Sequence, residues 1–268
     1  MGPLLALASA VCYGIVDFTG GLLSRRAHFA AVTFLGQVGG LLLATSAALF
    51  LSADAVRPVD LLWGALSGVG SGAAMHFLNR GLSHGAMSVV VPVSAVTGVG
   101  LSVVCGVLLG DRPTAVAWLG IVLSVPALWM VCGGGTDDGA GVPDGLLASA
   151  GVALQYIALA QAGAAGGLWP VAAGRVAAVL VLLPAAARNP RRLRLPPVRA
   201  VQAGAALGLI LYLLAAQRQL LAVAVVLASL YPALPVILGL ALLHERLSRK
   251  QVVGLAGAGV ATVLLSLG

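Results

Sequence analysis

Ten long apolar stretches follow one another along the chain, and they constrain its fold more than any other feature. Each is about as long as the ~20 residues that a helix needs to cross a bilayer. Strands of a membrane barrel would alternate apolar and polar residues over ~10-residue segments, and the sequence has no such pattern. Short breaks rich in charge, glycine and proline separate the stretches. The predicted spans are 3–23, 30–52, 61–79, 86–109, 115–132, 146–163, 169–187, 200–217, 220–243 and 251–267.

Composition identifies lipid as the solvent of these helices. Hydrophobic residues make up 60% of the 268 residues and charged residues only 9%, whereas about 25% of the residues of a soluble domain are charged. A soluble fold must still face water over much of its surface, so it could not hide this much apolar area. The predicted fold class is an all-α polytopic membrane protein with about ten transmembrane helices.

Charge and cysteine content exclude several functions. The net charge of +7 is spread through short loops without interleaved aromatic residues, which favours contact with anionic lipid over nucleic acid. The three cysteines, Cys12, Cys105 and Cys132, lie far apart and lack metal-ligand spacing. No nucleotide-binding G-x-x-x-x-G-K-[ST] loop occurs. We therefore expect no metal, no cofactor and no nucleic-acid partner.

Three pairs of short similar segments, in the same order in both halves, indicate that the sequence contains an internal repeat. A shift of 134 residues places GDRPT (110–114) on HERLS (244–248). A shift of 138 residues places GQVGGLLL (36–43) on GRVAAVLV (174–181) and pairs Gln37 with Arg175. The motif LASA also occurs near the start of both halves. Similar segments that occur in the same order at a nearly constant separation predict two copies of one unit.

The repeat predicts the domain organisation. Residues 1–132 form the first five-helix unit, 133–145 a linker rich in glycine and aspartate, and 146–268 the second unit. Because each unit has an odd number of spans, the two units must lie in opposite orientations in the bilayer. Inverted repeats of this kind are typical of secondary transporters, which bind solute between the halves near the midplane.

The acidic–Arg turns that recur in both halves indicate a structural role. In each turn the acid and the following Ser or Thr precede a helix, where they can cap its free N–H groups, while the arginine can reach lipid phosphates. We therefore expect these turns to close short helix–helix connections and not to bind solute. The four residues are Asp111, Arg112, Glu245 and Arg246.

The stretches LLGDRPTAVAWLGIVLSV (108–125) and LLHERLSRKQVVGLAGAGV (242–260) resemble the repeated signature of the EamA family of the drug/metabolite transporter superfamily, in a bacterial form. Asp111 replaces the usual glutamate, and His244 occupies a position where the family has glycine. The resemblance implies ten helices in two inverted bundles. It also implies a multi-pass inner-membrane protein that moves amino acids, other small metabolites or drugs, and it does not distinguish among them.

Ionisable residues inside spans are costly, so they are candidates for function. Asp17 lies in the first span with Tyr13 one turn earlier on the same face, and Arg175 lies at similar depth in the seventh span. Asp17 and Arg175 could form a structural ion pair. Alternatively, Asp17 could be the acid that couples transport to H⁺ or another ion. Both interpretations are open at this stage.

Weaker polar candidates share the spans that, by the resemblance, line the central cavity. Each could instead form an interhelical hydrogen bond. Together they predict a mostly apolar pocket with a few polar points, which suits a small amphipathic solute. Those predicted to contact solute are His76, Gln155, Tyr212 and Tyr231.

Membrane orientation is not fixed by the sequence. Loops after the odd-numbered spans hold most of the Lys and Arg, so the positive-inside rule places both termini outside. The family resemblance places both termini inside. Whether the protein is a monomer or a homodimer is likewise open.

The sequence predicts a secondary active transporter that moves a small solute by alternating access, not an enzyme. One alternative is a polytopic membrane enzyme acting on a lipid-linked substrate, but the sequence has no nucleophile, HExxH or paired-carboxylate motif to perform such chemistry. The other alternative is a membrane scaffold that transports nothing.

Overall fold

The computed structural model describes residues 2–50, 53–108, 114–132, 140–188, 232–245 and 247–267. Within these ranges the chain is helical and has no strand. The helices, numbered in chain order, are α1 Gly2–Arg26, α2 Phe29–Phe50, α3 Pro58–His84, α4 Met87–Leu108, α5 Ala115–Cys132, α6 Val142–Ala160, α7 Trp169–Ala187, α8 Ala233–Leu242 and α9 Arg249–Leu267, with a short 3₁₀ helix at Ala164–Gly166.

Each described helix lies on a predicted span, because the long apolar runs of the sequence are the helices. Helices α1 to α7 lie on the first seven spans, and α8 and α9 lie on the ninth and tenth. The eighth predicted span, 200–217, lies outside the described residues. Helix α6 begins at Val142, inside the range predicted as linker. Four helices, α2, α3, α6 and α7, are long and apolar enough to cross a membrane by length and composition.

The helices bury small residues and expose large apolar ones, which is the distribution expected of a bundle in lipid. Helix α2 buries Ala44 and Ala48 but leaves Phe50 88% exposed, and α5 leaves Trp129 77% exposed. In water such a surface would cause aggregation. The inward faces therefore allow close helix contact while the outward faces meet hydrocarbon.

The glycine stripe on α3 is the contact surface for α7. A Cβ atom added at Gly64 or Gly68 would collide with the backbone of α7 at Pro170 or Gly174. One turn further on, Gly72 packs against Ala178. Small residues every fourth position thus bring the two backbones together.

Helices α5 and α9 pack against each other through a reciprocal pair of contacts. A Cβ atom at Gly120 of α5 would lie 2.9 Å from Leu265 Cγ of α9. A Cβ atom at Gly254 of α9 would lie 2.8 Å from the backbone nitrogen of Val131 of α5. The glycine near the start of each helix therefore packs against a residue near the end of the other helix.

The connections define two ends of the bundle. At the end we call the Glu245 end, Arg25 at the close of α1 contacts the turn between α3 and α4 and also contacts Glu245 between α8 and α9. At the opposite end, the Asp60 end, the start of α3 meets the connection between α6 and α7 through Asp60 and Gly163.

Candidate functional site

Arg175 joins three helices at a polar point inside the bundle. Its Nη1 donates a hydrogen bond to Oε1 of Gln37 on α2 over 2.8 Å and another to Oγ of Ser71 on α3 over 3.3 Å. Both acceptors are buried. The arginine stem passes over Gly40, where an added Cβ atom would lie 3.5 Å from Arg175 Cδ. A Cβ atom at Gly40 would therefore make ordinary van der Waals contact with the arginine stem, which lies against this part of α2.

The same arginine lines a small, partly open cleft between α3, α6 and α7. The cleft has a volume of about 30 Å³, and the described residues that line it include one cation and no acidic residue. Two residues predicted to contact solute, Gln155 and Arg175, meet here. The lining residues are Ser67, Gly68, Ser71, Gln155, Leu159, Val171, Gly174 and Arg175.

Asp17 lies buried in α1, apart from Arg175. Within the described part of the chain, no ion pair or hydrogen bond joins these two residues, and Arg175 instead contacts Gln37 and Ser71. The face of α1 that carries Asp17 continues to Gly20, which lies against Asn79 of α3. Asn79 in turn donates a hydrogen bond over 2.9 Å to Oγ1 of Thr33 on α2. Asp17 is thus a buried acid beside a neutral polar contact.

Three buried polar side-chain atoms make no hydrogen bond with any described residue. They are Oγ of Ser24 on α1, Nδ1 of His76 on α3 and Oγ1 of Thr97 on α4. The His76 ring packs edge-on against Phe29 and Phe77, with centroid distances of 5.1 and 5.5 Å. Buried polar atoms without partners are uncommon in folded proteins. They are available to a polar group of a solute or to water.

Several predicted residues, or their side chains, lie outside the part of the chain that the structure describes. Tyr13 lies on α1, but its side chain is not described. The other predicted residues that lie outside the described ranges are Asp111, Arg112, Tyr212, Tyr231 and Arg246. Their roles remain predictions.

Glu245 caps a different helix from the one that the sequence indicated. We expected it to cap α9, which follows it in the chain. Its carboxylate instead accepts hydrogen bonds at the start of α4, from the backbone nitrogens of Met87 (2.9 Å) and Ser88 (3.0 Å) and from Ser88 Oγ (2.7 Å). Arg25 of α1 adds an ion pair at 3.2 Å. The carboxylate is therefore at the positive end of the α4 dipole, beside a cation.

The turn geometry explains this difference. His244 has φ of 56°, in the left-handed region that glycine adopts most easily, and this redirects the backbone just before Glu245. The start of α9 is capped by other residues. Ser248 Oγ accepts from the nitrogen of Gln251 at 3.2 Å, and Gln251 Oε1 accepts from the nitrogen of Ser248 at 2.8 Å, which forms a capping box.

The Asp60 end contains a second acid that connects separate segments. Asp60 accepts two hydrogen bonds from Arg57, at 2.8 and 3.0 Å, and one from the backbone nitrogen of Gly163 at 2.8 Å. The hydrogen bonds to Asp60 and the negative charge of its carboxylate raise the pKa of the Arg57 guanidinium above its ordinary value, so the arginine stays charged. Sequence reasoning missed Asp60, Gln37 and Ser71 as contact residues. Only the alignment of Gln37 with Arg175 in the repeat pointed toward one of them.

The fold and the distribution of apolar surface define a multi-pass helical membrane protein. The profile of the EamA-like transporter family matches residues 1–133. The chain belongs to this family, and it is therefore a membrane transporter of the drug/metabolite transporter type.

Comparison with solved structures concerns the fold alone. One structure, described only as "Crystal structure of protein", aligns with a TM-score of 0.62 over 98% of this chain and 95% of that chain. The two sequences are 13% identical, so the likeness carries no information on substrate. No curated protein matches the sequence.

Proposed function

We propose that the protein is a secondary active transporter that moves a small metabolite, amino acid or drug-like solute across the bacterial inner membrane by alternating access. The observation that carries the proposal is the Arg175 cluster, which consists of Arg175, Gln37 and Ser71. A guanidinium, a buried amide and a buried hydroxyl from three helices meet at a cleft within a bundle whose outer surface suits lipid. Ionisable groups placed inside a bundle in this way mark solute pathways.

Inverted repeats are the second part of the proposal, and the helix contacts support them. Under the shift of 134 residues, Gly120 is equivalent to Gly254 and Val131 is equivalent to Leu265. The contact of Gly120 with Leu265 and the contact of Gly254 with Val131 are therefore the same contact with the two halves exchanged. Likewise, Gln37 and Arg175 occupy equivalent positions under the shift of 138 residues and bond to each other. Such exchange is expected when two related units face each other across a two-fold axis.

The mostly neutral and apolar residues beside Arg175 in the cleft favour a small amphipathic solute. Ser67, Ser71 and Gln155 offer hydroxyl and amide groups, while Leu159 and Val171 offer apolar surface. The polar atoms of His76 and Thr97 provide further contacts on α3 and α4. Few polar groups in an apolar site fix orientation without excluding related solutes.

Asp17 is the residue that we assign to coupling. It is a buried carboxylate in the described part of α1, and a carboxylate in this setting can take up and release a proton as access alternates. In this proposal solute and proton movements are linked through the protonation state of Asp17. H⁺ is accordingly the coupling ion to test first.

The test is a panel of amino acids, other metabolites and cationic drugs in loaded proteoliposomes, with and without an imposed pH gradient. The proposal expects saturable flux for one class, enhanced by the gradient. Protein-free liposomes and liposomes that contain Arg175→Gln serve as controls. Purified, folded protein that gives no flux for any class would count against transport.

A further inference from the structure

Glu245 connects the two predicted halves of the chain at one end of the bundle. Arg25, Met87 and Ser88 belong to the first half, whereas Glu245 belongs to the second, so every hydrogen bond to its side chain crosses between them. A Cβ atom at Gly239 would lie 3.2 Å from Glu245 Oε2. A glycine at this position of α8 therefore lets the carboxylate reach α4.

An apolar layer lies directly beneath these contacts. The side chain of Met87, whose backbone nitrogen Glu245 binds, is fully buried in this layer together with Leu82. Leu238 and Leu243, from the segment that carries Glu245, pack against it. Helices α1, α3, α4, α6 and α8 thus meet in a continuous apolar seal, and the remaining buried members are Phe18, Leu78, Val90, Val91 and Ala148.

Other ion pairs at this end are more exposed than the Glu245 contact. Asp144 of α6 forms an ion pair with Arg80 at 3.6 Å and contacts His84 at 3.3 Å, and the side chains of these two partners are 51% and 47% exposed. The two carboxylates are similarly buried, with Glu245 11% and Asp144 9% exposed, but the cation beside Glu245, Arg25, is only 28% exposed. Exposed pairs contribute little because water and salt screen them. Glu245 is therefore the main polar contact that holds the halves together here.

We infer that Glu245 is a latch that keeps the Glu245 end of the solute pathway closed, an inference that rests on the proposed transport function. Opening at this end must separate α8 from α1 and α4, and it must therefore break the contacts of one carboxylate with Arg25, Met87 and Ser88. Charge-assisted hydrogen bonds are among the stronger polar contacts in proteins. The latch thus biases the protein toward the state that is closed at this end.

The test is thiol labelling of a reporter in nanodiscs, where a bulky maleimide reaches both faces. The native Cys12, Cys105 and Cys132 are replaced by serine, and Ser24→Cys is introduced. Ser24 is a nearly isosteric choice, is buried, and lies beside Arg25. Glu245→Gln replaces one acceptor oxygen by a donor and removes the charge. We expect it to raise the labelling rate at position 24 about tenfold, which corresponds to about 1.4 kcal/mol.

Two controls separate a latch from general loosening. Ser124→Cys, a buried position on α5 outside the cleft and outside the helices that Glu245 contacts, should label no faster in Glu245→Gln. Asp60→Asn makes the same chemical change at the opposite end and should leave position 24 protected. Ser88→Ala removes a single hydrogen bond and should raise labelling about two- to threefold, so it tests the latch even if Glu245→Gln fails to fold.

An unchanged rate at position 24 in folded Glu245→Gln and Ser88→Ala would overturn the latch. Equal increases at positions 24 and 124, or the same increase in Asp60→Asn, would do so as well. Labelling requires no solute, so its result is independent of the flux panel. Absence of flux with the expected labelling would therefore remove the transport function while leaving the contact as a structural latch.

Discussion

Arg175 on α7 donates a hydrogen bond to Gln37 on α2 across 2.8 Å, and these two residues occupy equivalent positions in the two halves of the sequence. The contact links helices that are also neighbours in the bundle. It places the one arginine of the pair where its guanidinium reaches α2, α3 and the cleft. Stability and transport are both expected to depend on it.

The first prediction concerns the energy of this contact. Gln37→Leu removes the acceptor, so we expect the free energy of unfolding in mixed micelles to fall by about 0.5–2 kcal/mol. A double-mutant cycle with Arg175→Gln isolates the pair, because the effect of Gln37→Leu should shrink once the arginine is gone. Fully additive effects would mean that the hydrogen bond contributes nothing measurable.

The second prediction compares two glycines with the same i, i+4 spacing. A Cβ atom at Gly68 would meet the α7 backbone, whereas one at Gly36 would meet nothing within 4 Å. We expect Gly68→Ala to lower the free energy of unfolding by about 1–3 kcal/mol. Gly36→Ala should raise it by about 0.5–1 kcal/mol, because alanine favours the helix. Equal effects at both positions would refute the assigned contact between α3 and α7.

The third prediction concerns the backbone at His244. An L-residue with a side chain is disfavoured at φ of 56°, so His244→Gly should raise the free energy of unfolding by up to about 1 kcal/mol. His244→Ala is the control, because it removes the imidazole but keeps Cβ and should give no gain. Thermal unfolding in detergent measures both variants. A loss of stability in His244→Gly would show that the imidazole matters more than the strain.

These examples show what the sequence predicted and where it stopped. Apolar runs located the described helices, because a long apolar stretch is a local property of the sequence. The partner of Glu245 could not be found in this way. A left-handed residue at His244 turns the carboxylate toward α4, and Met87 and Ser88 are far away in the sequence.

The candidate site was predictable only in part, for a similar reason. Burial within a span identified Arg175 and Asp17 as costly groups, and the sequence allowed an ion pair between them. The structure instead pairs Arg175 with Gln37 and Ser71. Neutral serines and glutamines occur throughout membrane helices, so only the arrangement of α2, α3 and α7 distinguishes these two residues as ligands of the arginine.

The fourth prediction tests Asp17 as the coupling acid. Asp17→Asn cannot take up a proton, so we expect pH-driven accumulation to be lost while solute exchange without a gradient persists. Asp54→Asn, which makes the same change at an exposed loop position, should retain both activities. Full pH-driven accumulation by Asp17→Asn in proteoliposomes would reject the coupling role.

The central claim is that this bundle transports a solute through the region of Arg175. Its most direct test is uptake by proteoliposomes under an imposed pH gradient, compared between the wild-type protein and folded Arg175→Gln. We predict saturable accumulation above equilibrium by the wild type, and an initial rate at least about tenfold lower in the variant, as expected for loss of a buried charged contact of about 1.4 kcal/mol or more. Gradient-independent leakage, or equal accumulation by both proteins, would contradict this account.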